Sequence, residues 1–65
     1  MKILNNFYGQ GQYAARESKV FDDGGIPTVQ FWDNGELIET RSFPDNTMEF
    51  CEEAAENYIL GILKL

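Results

Sequence analysis

The chain has 65 residues, with eleven acidic and five basic side chains, a net charge of −6, one cysteine and no histidine. This length allows one small domain with a marginal core, and the lone Cys51 can neither close an internal disulfide nor, without histidine, complete the usual zinc ligand sets. Catalysis of the Ser-His-Asp or Cys-His type is excluded within one chain because there is no imidazole, and the negative charge disfavours direct binding of DNA or RNA.

The N-terminal third of the chain gives weak structural signals. Residues 1–12 mix apolar and aromatic side chains with Asn, Gln and two glycines, and they follow neither helical nor strand periodicity, so we expect a loosely attached arm. Lys19-Val20-Phe21 runs into the turn signal Asp22-Asp23-Gly24-Gly25, which predicts a strand over residues 16–21. A short helix over residues 12–19 is the alternative, because good helix formers occur there.

The strongest local signal is a β-hairpin. Asn34-Gly35 is the favoured filling of a two-residue type I′ turn, and it separates two strand-like runs, residues 28–32 and 37–41. Such a loop predicts that Trp32 faces Leu37 and that Phe31 faces Ile38. We expect the helix to cover the face that shows Val29, Phe31, Ile38 and Thr40. Alternation assigns the opposite face Thr28, Gln30, Trp32, Leu37, Glu39, Arg41 and Phe43.

An amphipathic C-terminal helix is predicted over residues 46–63. Asn46 as N-cap and Glu49 three residues later have the spacing of a capping box. The helical period gives an apolar arc of Met48, Cys51, Ala54, Ala55, Tyr58, Ile59 and Ile62. The opposite arc carries Glu49, Glu52, Glu53 and Glu56. Leu60 and Leu63 project from this acidic arc, and Gly61 indicates either fraying or the close approach of a neighbour.

These elements predict an α+β fold in a single domain. An antiparallel β-meander of three strands occupies residues 16–43, with the arm as an alternative fourth strand, and one C-terminal helix packs on one face of the sheet. One helix cannot cover both faces of such a sheet. A second apolar surface is therefore expected on the other face.

Five residues are candidates for protein contact. Trp32 and Leu37 lie on the second apolar surface with Arg41, and Trp and Arg are favoured in protein interfaces. The alternative is that the arm covers Trp32 through Phe7, Tyr8 or Tyr13. Leu60 and Leu63 form a second candidate contact, against the alternatives that the last helical turn frays or that the arm packs on it.

No residue cluster predicts catalysis, a cofactor or a metal ion. Cys51 lies on the apolar arc, so we interpret it as a packed core thiol, and we interpret the helix glutamates as a solvated face. The two Asp- and Gly-containing turns lack the ligand spacing of a calcium loop. Gly9-Gln10-Gly11 lacks the third glycine of a dinucleotide-binding fingerprint. We therefore expect a protein that is not an enzyme and has no cofactor.

Targeting signals are also absent from the sequence. The apolar run after Lys2 is too short for a signal-peptide core, there is no N-linked glycosylation triplet, and a lone cysteine gives no sign of an oxidising compartment. Residues 58–63 are apolar but far shorter than a membrane-spanning helix requires. We expect a cytoplasmic protein that does not bind membranes.

Part of the chain resembles short uncharacterised proteins of tailed bacteriophages, especially those of cyanobacteria. The resemblance lies in Phe31-Trp32-Asp33-Asn34-Gly35-Glu36-Leu37-Ile38-Glu39, in Phe43-Pro44, and in Glu52-Glu53-Ala54-Ala55-Glu56-Asn57-Tyr58-Ile59-Leu60-Gly61. It implies the cytoplasm of an infected bacterium as the setting. It implies no activity and no site residues.

Three hypotheses for function follow from these patterns. The first is a small protein-interaction module that acts on a host or viral protein through the five candidate contact residues. The second is a self-associating structural or accessory protein, for example a homodimer, because a small domain with two spare apolar patches gains stability from a second copy. The third is an acidic decoy for a nucleic-acid-binding protein, in which the helix glutamates imitate a row of phosphates.

Overall fold

Four strands follow one another along the chain and pair only with their sequence neighbours. In the computed structural model, which describes all residues 1–65, they are β1 (Lys2–Tyr8), β2 (Arg16–Asp23), β3 (Ile26–Asp33) and β4 (Glu36–Ser42). All three pairings are antiparallel, in the order β1-β2-β3-β4. A 3-10 turn at Gly11–Tyr13 joins β1 to β2, and the helix α1 (Met48–Ile59) ends the fold. The predicted α+β fold is confirmed in its four-stranded form.

The N-terminal segment is a strand of the sheet, so the prediction of a loosely attached arm is wrong for residues 2–8. β1 pairs with β2 along its length, with Phe7 opposite Ser18, and Phe7 packs against the core. The pairing shifts by one residue between Ile3 and Asn5. Leu4 is the extra residue of this bulge, and it breaks the alternation by which a strand is recognised. The strand predicted over residues 16–21 is confirmed as part of β2, and the alternative helix over residues 12–19 is wrong.

The β3–β4 hairpin has the predicted turn but not the whole predicted register. Asn34 and Gly35 both have positive φ, 53° and 78°, as a type I′ turn requires. Trp32 faces Leu37 as predicted, but the next pair is Phe31 with Glu39. Ile38 is therefore an extra residue in a β-bulge, and the predicted pairing of Phe31 with Ile38 is wrong.

The bulge at Ile38 exchanges the faces of the residues that follow it. Glu39 and Arg41 lie opposite Phe31 and Val29, so they share the face on which the helix packs. Thr40 lies opposite Gln30 and shares the other face with Trp32. The prediction placed all three of these β4 side chains on the wrong face, because a regular alternation cannot reveal one inserted residue.

The helix begins one residue later than predicted. Thr47 is the N-cap, and its hydroxyl accepts a hydrogen bond from the Phe50 N–H at 3.2 Å. Asn46 instead donates its backbone N–H to the Phe43 carbonyl at 3.2 Å in the preceding turn. Glu49 is therefore the second helical residue, and the predicted capping box does not form. Its carboxylate still lies in the first turn, where the helix dipole favours it.

The helix ends at Ile59, before the predicted boundary at residue 63. Gly61 has φ of 80°, and the chain leaves the helix through a Schellman motif. Its two hydrogen bonds run from Ile62 N–H to the Asn57 carbonyl at 2.9 Å and from Gly61 N–H to the Tyr58 carbonyl at 3.1 Å. With 12 residues, α1 is neither long nor apolar enough to span a membrane.

The core lies between α1 and one face of the sheet. Its buried residues are Val20, Val29 and Phe31 from the strands and Cys51, Ala55, Tyr58 and Ile59 from the helix. The Phe31 and Tyr58 rings meet edge to face, with centroids 4.9 Å apart. The buried Ser18 hydroxyl donates to the Ala55 carbonyl at 2.8 Å, which joins β2 to the middle of the helix. The helix packs on β1, β2 and β3.

Arg16 attaches the carboxyl end of the helix to the sheet. Its guanidinium donates to the Tyr58 carbonyl at 2.8 Å and lies 4.7 Å from the ring centroids of both Tyr13 and Tyr58. A cation is favourable at this end of a helix, and an arginine on an aromatic face gains further attraction. The Tyr13 ring in turn packs on Gly61, where an added Cβ would overlap the ring.

The close contact at Gly61 predicts a position-specific effect of alanine. Gly61→Ala and Gly24→Ala both place a side chain at positive φ, but only the Gly61 variant meets a neighbour. Gly24→Ala is expected to lower the free energy of unfolding by about 1 kcal/mol, the conformational cost of alanine in this region. Gly61→Ala is expected to cost about 1 kcal/mol more, because it displaces the Tyr13 ring. Urea unfolding measures both.

A double-mutant cycle controls this prediction. In a Tyr13→Ala background the obstructing ring is absent, so Gly61→Ala should cost no more than Gly24→Ala. An equal cost for the two glycine variants in the wild-type background would contradict the packing of Tyr13 on Gly61.

Candidate interaction surface

The sheet face opposite α1 is not covered by any element of the chain, and we call it the open face. Because facing residues share a face, the registers of all three hairpins assign its members. Its large apolar side chains are Ile3, Tyr8, Phe21, Ile26, Trp32 and Leu37. Four of these are at least two-fifths exposed, with relative exposures of 63% for Tyr8, 51% for Ile3, 42% for Leu37 and 40% for Ile26. Every strand of the sheet contributes to this surface.

Trp32 is held in place by its neighbours on the open face. Its indole N–H donates to the Gln30 side-chain oxygen at 3.3 Å, and the Lys19 ammonium lies 4.6 Å from the ring centroid. From the other side of the sheet, the Tyr58 hydroxyl donates to the Trp32 backbone carbonyl at 3.2 Å. These contacts leave the ring half-buried and fix its orientation.

The N-terminal segment does not cover Trp32, so the predicted alternative is wrong. Phe7 faces the helix and packs against the core, and Tyr13 packs on Arg16 and Gly61 at the end of the helix. Tyr8 lies on the open face, but β1 is separated from β3 by β2. Phe7 and Tyr13 therefore lie on the side of the helix, and Tyr8 lies on the open face two strands away from Trp32.

The open face carries little of the charge of this acidic chain. By the strand registers, its charged side chains are Glu17, Lys19 and Asp23. Glu17 accepts a hydrogen bond from the Asn6 side-chain amide at 3.0 Å. The other acidic residues lie on the helix, in turns or on the helix-facing side, although the chain as a whole has a charge of −6. Apolar surface with nearly balanced charge is typical of the centre of a protein interface.

The structure brings together two of the five predicted contact residues. Trp32 and Leu37 face each other directly across β3 and β4. Arg41 lies on the opposite face, where its guanidinium forms an ion pair with Glu39 at 2.6 Å and lies 5.8 Å from the Phe31 ring. Arg41 therefore cannot share a contact surface with Trp32, and the displacement results from the bulge at Ile38.

Leu60 and Leu63 do not form the predicted joint patch. Leu60 is the C-cap of α1, is 55% exposed and lies with the helix on the side of the sheet opposite the open face. The Schellman turn then reverses the chain, and Leu63 packs against the core close to Phe50 and Ala54. The prediction extended the helical period through Gly61, where the helix has already ended.

The helix glutamates form the solvated face that the sequence indicates, with one exception. Glu49, Glu53 and Glu56 are exposed, whereas Glu52 is partly buried and accepts a long hydrogen bond from the Asn5 side chain at 3.5 Å. Sequence reasoning missed Ile3, Tyr8, Phe21 and Ile26 as members of the open face. The signal for Phe21 was present, because alternation along β2 places it with Lys19 and Glu17.

The remaining reactive groups are shielded within the core. Burial and the neighbouring Glu52 carboxylate raise the pKa of the Cys51 thiol from 9.0 to about 11, so the thiol is protonated at neutral pH. Burial and Asp33 also raise the pKa of Tyr58, against the lowering effect of Arg16. No group of three or more cysteine and carboxylate side chains lies close enough together to hold a metal ion.

Comparison with known proteins finds no matching family model, no matching curated protein and no matching solved structure.

The buried thiol predicts a loss of stability at alkaline pH. The unfolded chain ionises Cys51 near pH 9.0, whereas the folded chain resists ionisation until about pH 11. The free energy of unfolding should therefore fall as the pH rises through this window, because the unfolded state releases the proton first. Denaturant unfolding at neutral pH and at steps above pH 9.0 measures the effect.

Cys51→Ala provides the control for this pH dependence. The variant lacks the titrating thiol but keeps Tyr58, whose pKa burial also raises, so between pH 9.0 and about 11 it should lose less stability than the wild type. A thiol reagent should also label wild-type Cys51 only under unfolding conditions. Identical pH profiles for the two proteins would contradict the burial of this group.

Proposed function

We propose that this chain is a small non-enzymatic protein-interaction module that docks a partner protein on its open face, around Trp32 and Leu37. The observation that carries the proposal is the uncovered apolar surface opposite α1, which includes a tryptophan whose orientation is already fixed. An oriented aromatic residue loses little conformational freedom on binding, which is a property of residues that dominate binding energy.

The physical character of the open face defines the chemistry of the partner. Trp32 and Leu37 supply apolar contact, whereas Gln30, Thr40 and Asn6 supply neutral hydrogen-bonding groups around them. A complementary surface presents apolar side chains at its centre and neutral polar groups at its rim. A carboxylate placed beside Lys19 would add the one favourable charge contact that this face offers.

The acidic residues outside the open face favour docking of the partner on the open face. Glu49, Glu53 and Glu56 are exposed on the opposite side of the molecule, where they repel acidic proteins and remain hydrated. The open face is a large surface that offers apolar contact without a row of carboxylates. The resemblance to short phage proteins would make the partner a host or viral protein of the infected bacterium.

The proposal predicts that a charge on the open face abolishes binding. Leu37→Lys introduces an ammonium beside Trp32, and capture of partner proteins from a lysate of the source cells should fall at least about tenfold, because the centre of an interface tolerates unpaired charge poorly. The matched control is Leu60→Lys, the same substitution at a residue of similar exposure away from the open face. It should capture the same proteins as the wild type.

The chain contains one tryptophan, so its fluorescence reports directly on the open face. Adding a purified captured protein should shift the Trp32 emission to shorter wavelength as water is excluded from the ring. Unchanged capture by Leu37→Lys, or loss of capture by Leu60→Lys with no change in Trp32 emission on binding, would contradict docking at this face.

A further inference from the structure

β4 presents a second surface that is separate from the open face. It is an edge strand, paired only with β3, and α1 packs on the other three strands. The free side of an edge strand carries backbone donors and acceptors that can pair with another strand. β4 is thus available for strand pairing without any rearrangement of the sheet.

The register identifies the backbone groups on this free side. The Phe43 N–H donates to the Pro27 carbonyl at 2.8 Å, so Phe43 turns its backbone groups toward β3. In an antiparallel pair this direction alternates with each residue. Arg41 therefore also turns toward β3, whereas Thr40 and Ser42 direct their N–H and C=O groups away from the sheet.

We infer that β4 pairs with β4 of a second copy of this chain, in antiparallel orientation, about a two-fold axis at Thr40. The two Thr40 residues then exchange N–H···O=C hydrogen bonds through the groups that face away from β3. The same axis places Glu39 of each copy directly opposite Arg41 of the other. These flanking positions are non-hydrogen-bonded pairs, whose Cα atoms approach to about 4.5 Å and whose side chains interact closely.

Charge complementarity selects this register over its neighbours. A two-fold axis at Glu39 would oppose two carboxylates, and an axis at Arg41 would oppose two guanidinium groups, and like charges directly opposite each other are unfavourable. With the axis at Thr40, the Glu39–Arg41 ion pair of one copy, at 2.6 Å, lies beside the same ion pair of the other copy. Four charges then alternate in sign around the axis.

The other edge of the sheet lacks this complementarity. β1 carries Lys2 as its single charged residue, so its self-pairing brings no opposite charges together. A single competent edge makes a closed dimer rather than an open array, because the two-fold pairing occupies the one complementary edge of each copy. The bulge at Ile38, which would lie opposite Ser42, ends the new ladder, so the ladder comprises residues 39–41 of each copy.

Pairing through β4 places the two helices on one side of a continuous sheet. Residues opposite each other in a ladder share a face, and Glu39 and Arg41 lie on the helix-facing side. The two open faces consequently lie together on the other side. Dimerisation leaves Trp32 and Leu37 accessible, so this inference does not depend on the proposed function.

Thr40→Pro tests the hydrogen bonds of the inferred interface. Proline removes the Thr40 N–H, which has no partner within one copy, and proline is tolerated in edge strands at such positions. The molar mass measured by light scattering after size exclusion should rise with concentration from monomer to dimer for the wild type. Thr40→Pro should remain monomeric over the same range while its circular dichroism spectrum stays that of the wild type.

Charge reversal tests the register with a matched control. Arg41→Glu places carboxylates opposite carboxylates and should abolish the dimer, and the double variant Glu39→Arg/Arg41→Glu restores alternating charges and should recover it. Lys2→Glu makes the same change of charge on the opposite edge strand and should leave the dimer intact. Leu37→Lys lies outside the paired segment and should also dimerise.

Two results would overturn the inference. One is a wild-type chain that stays monomeric up to about 1 mM, a concentration at which even a weak dimer forms. The other is a dimer that persists in both Thr40→Pro and Arg41→Glu. If that persistent dimer is lost in Leu37→Lys, self-association takes place on the open face.

Discussion

The contact between α1 and the sheet, centred on the Phe31 and Tyr58 rings, determines which surfaces of this molecule are free. The ring centroids lie 4.9 Å apart, and the hydrogen bond from Ser18 to the Ala55 carbonyl holds the helix in the same orientation. A chain of this length supplies one helix of 12 residues, which covers one face of a four-stranded sheet. The open face and the free edge of β4 are consequences of this single layer of packing.

The sequence predicts those parts of the fold that depend on local chemistry. Asn34-Gly35 specifies its turn because both residues adopt positive φ, and the apolar arc of α1 follows from the helical period. The boundaries of the helix were less predictable. Thr47 and Asn46 are both good N-caps, and the preceding turn, in which Asn46 bonds to Phe43, decides between them. The sequence marks Gly61 as a site of either fraying or the close approach of a neighbour. The packing of the Tyr13 ring on Gly61 shows that a neighbour approaches closely.

The error in the predicted face of Arg41 has one physical origin. A bulge adds a residue without changing composition, so the alternation read from the sequence continues through Ile38 although the faces do not. Leu37 was placed correctly opposite Trp32 because it precedes the bulge in β4. Arg41 follows it and lies on the other face. The same shift moves Glu39 and Arg41 together to the helix-facing side of the edge strand β4.

The exposure of the open face is the central claim, and NMR with a neutral gadolinium chelate in solution tests it most directly. The chelate broadens methyl signals that solvent reaches, so at a concentration low enough to keep the chain monomeric the Ile3 and Leu37 methyls should broaden strongly. Those of Val20 and Val29, which are fully buried under α1, should not. Equal protection of Leu37 and Val29 would show that the open face is covered and would contradict the account.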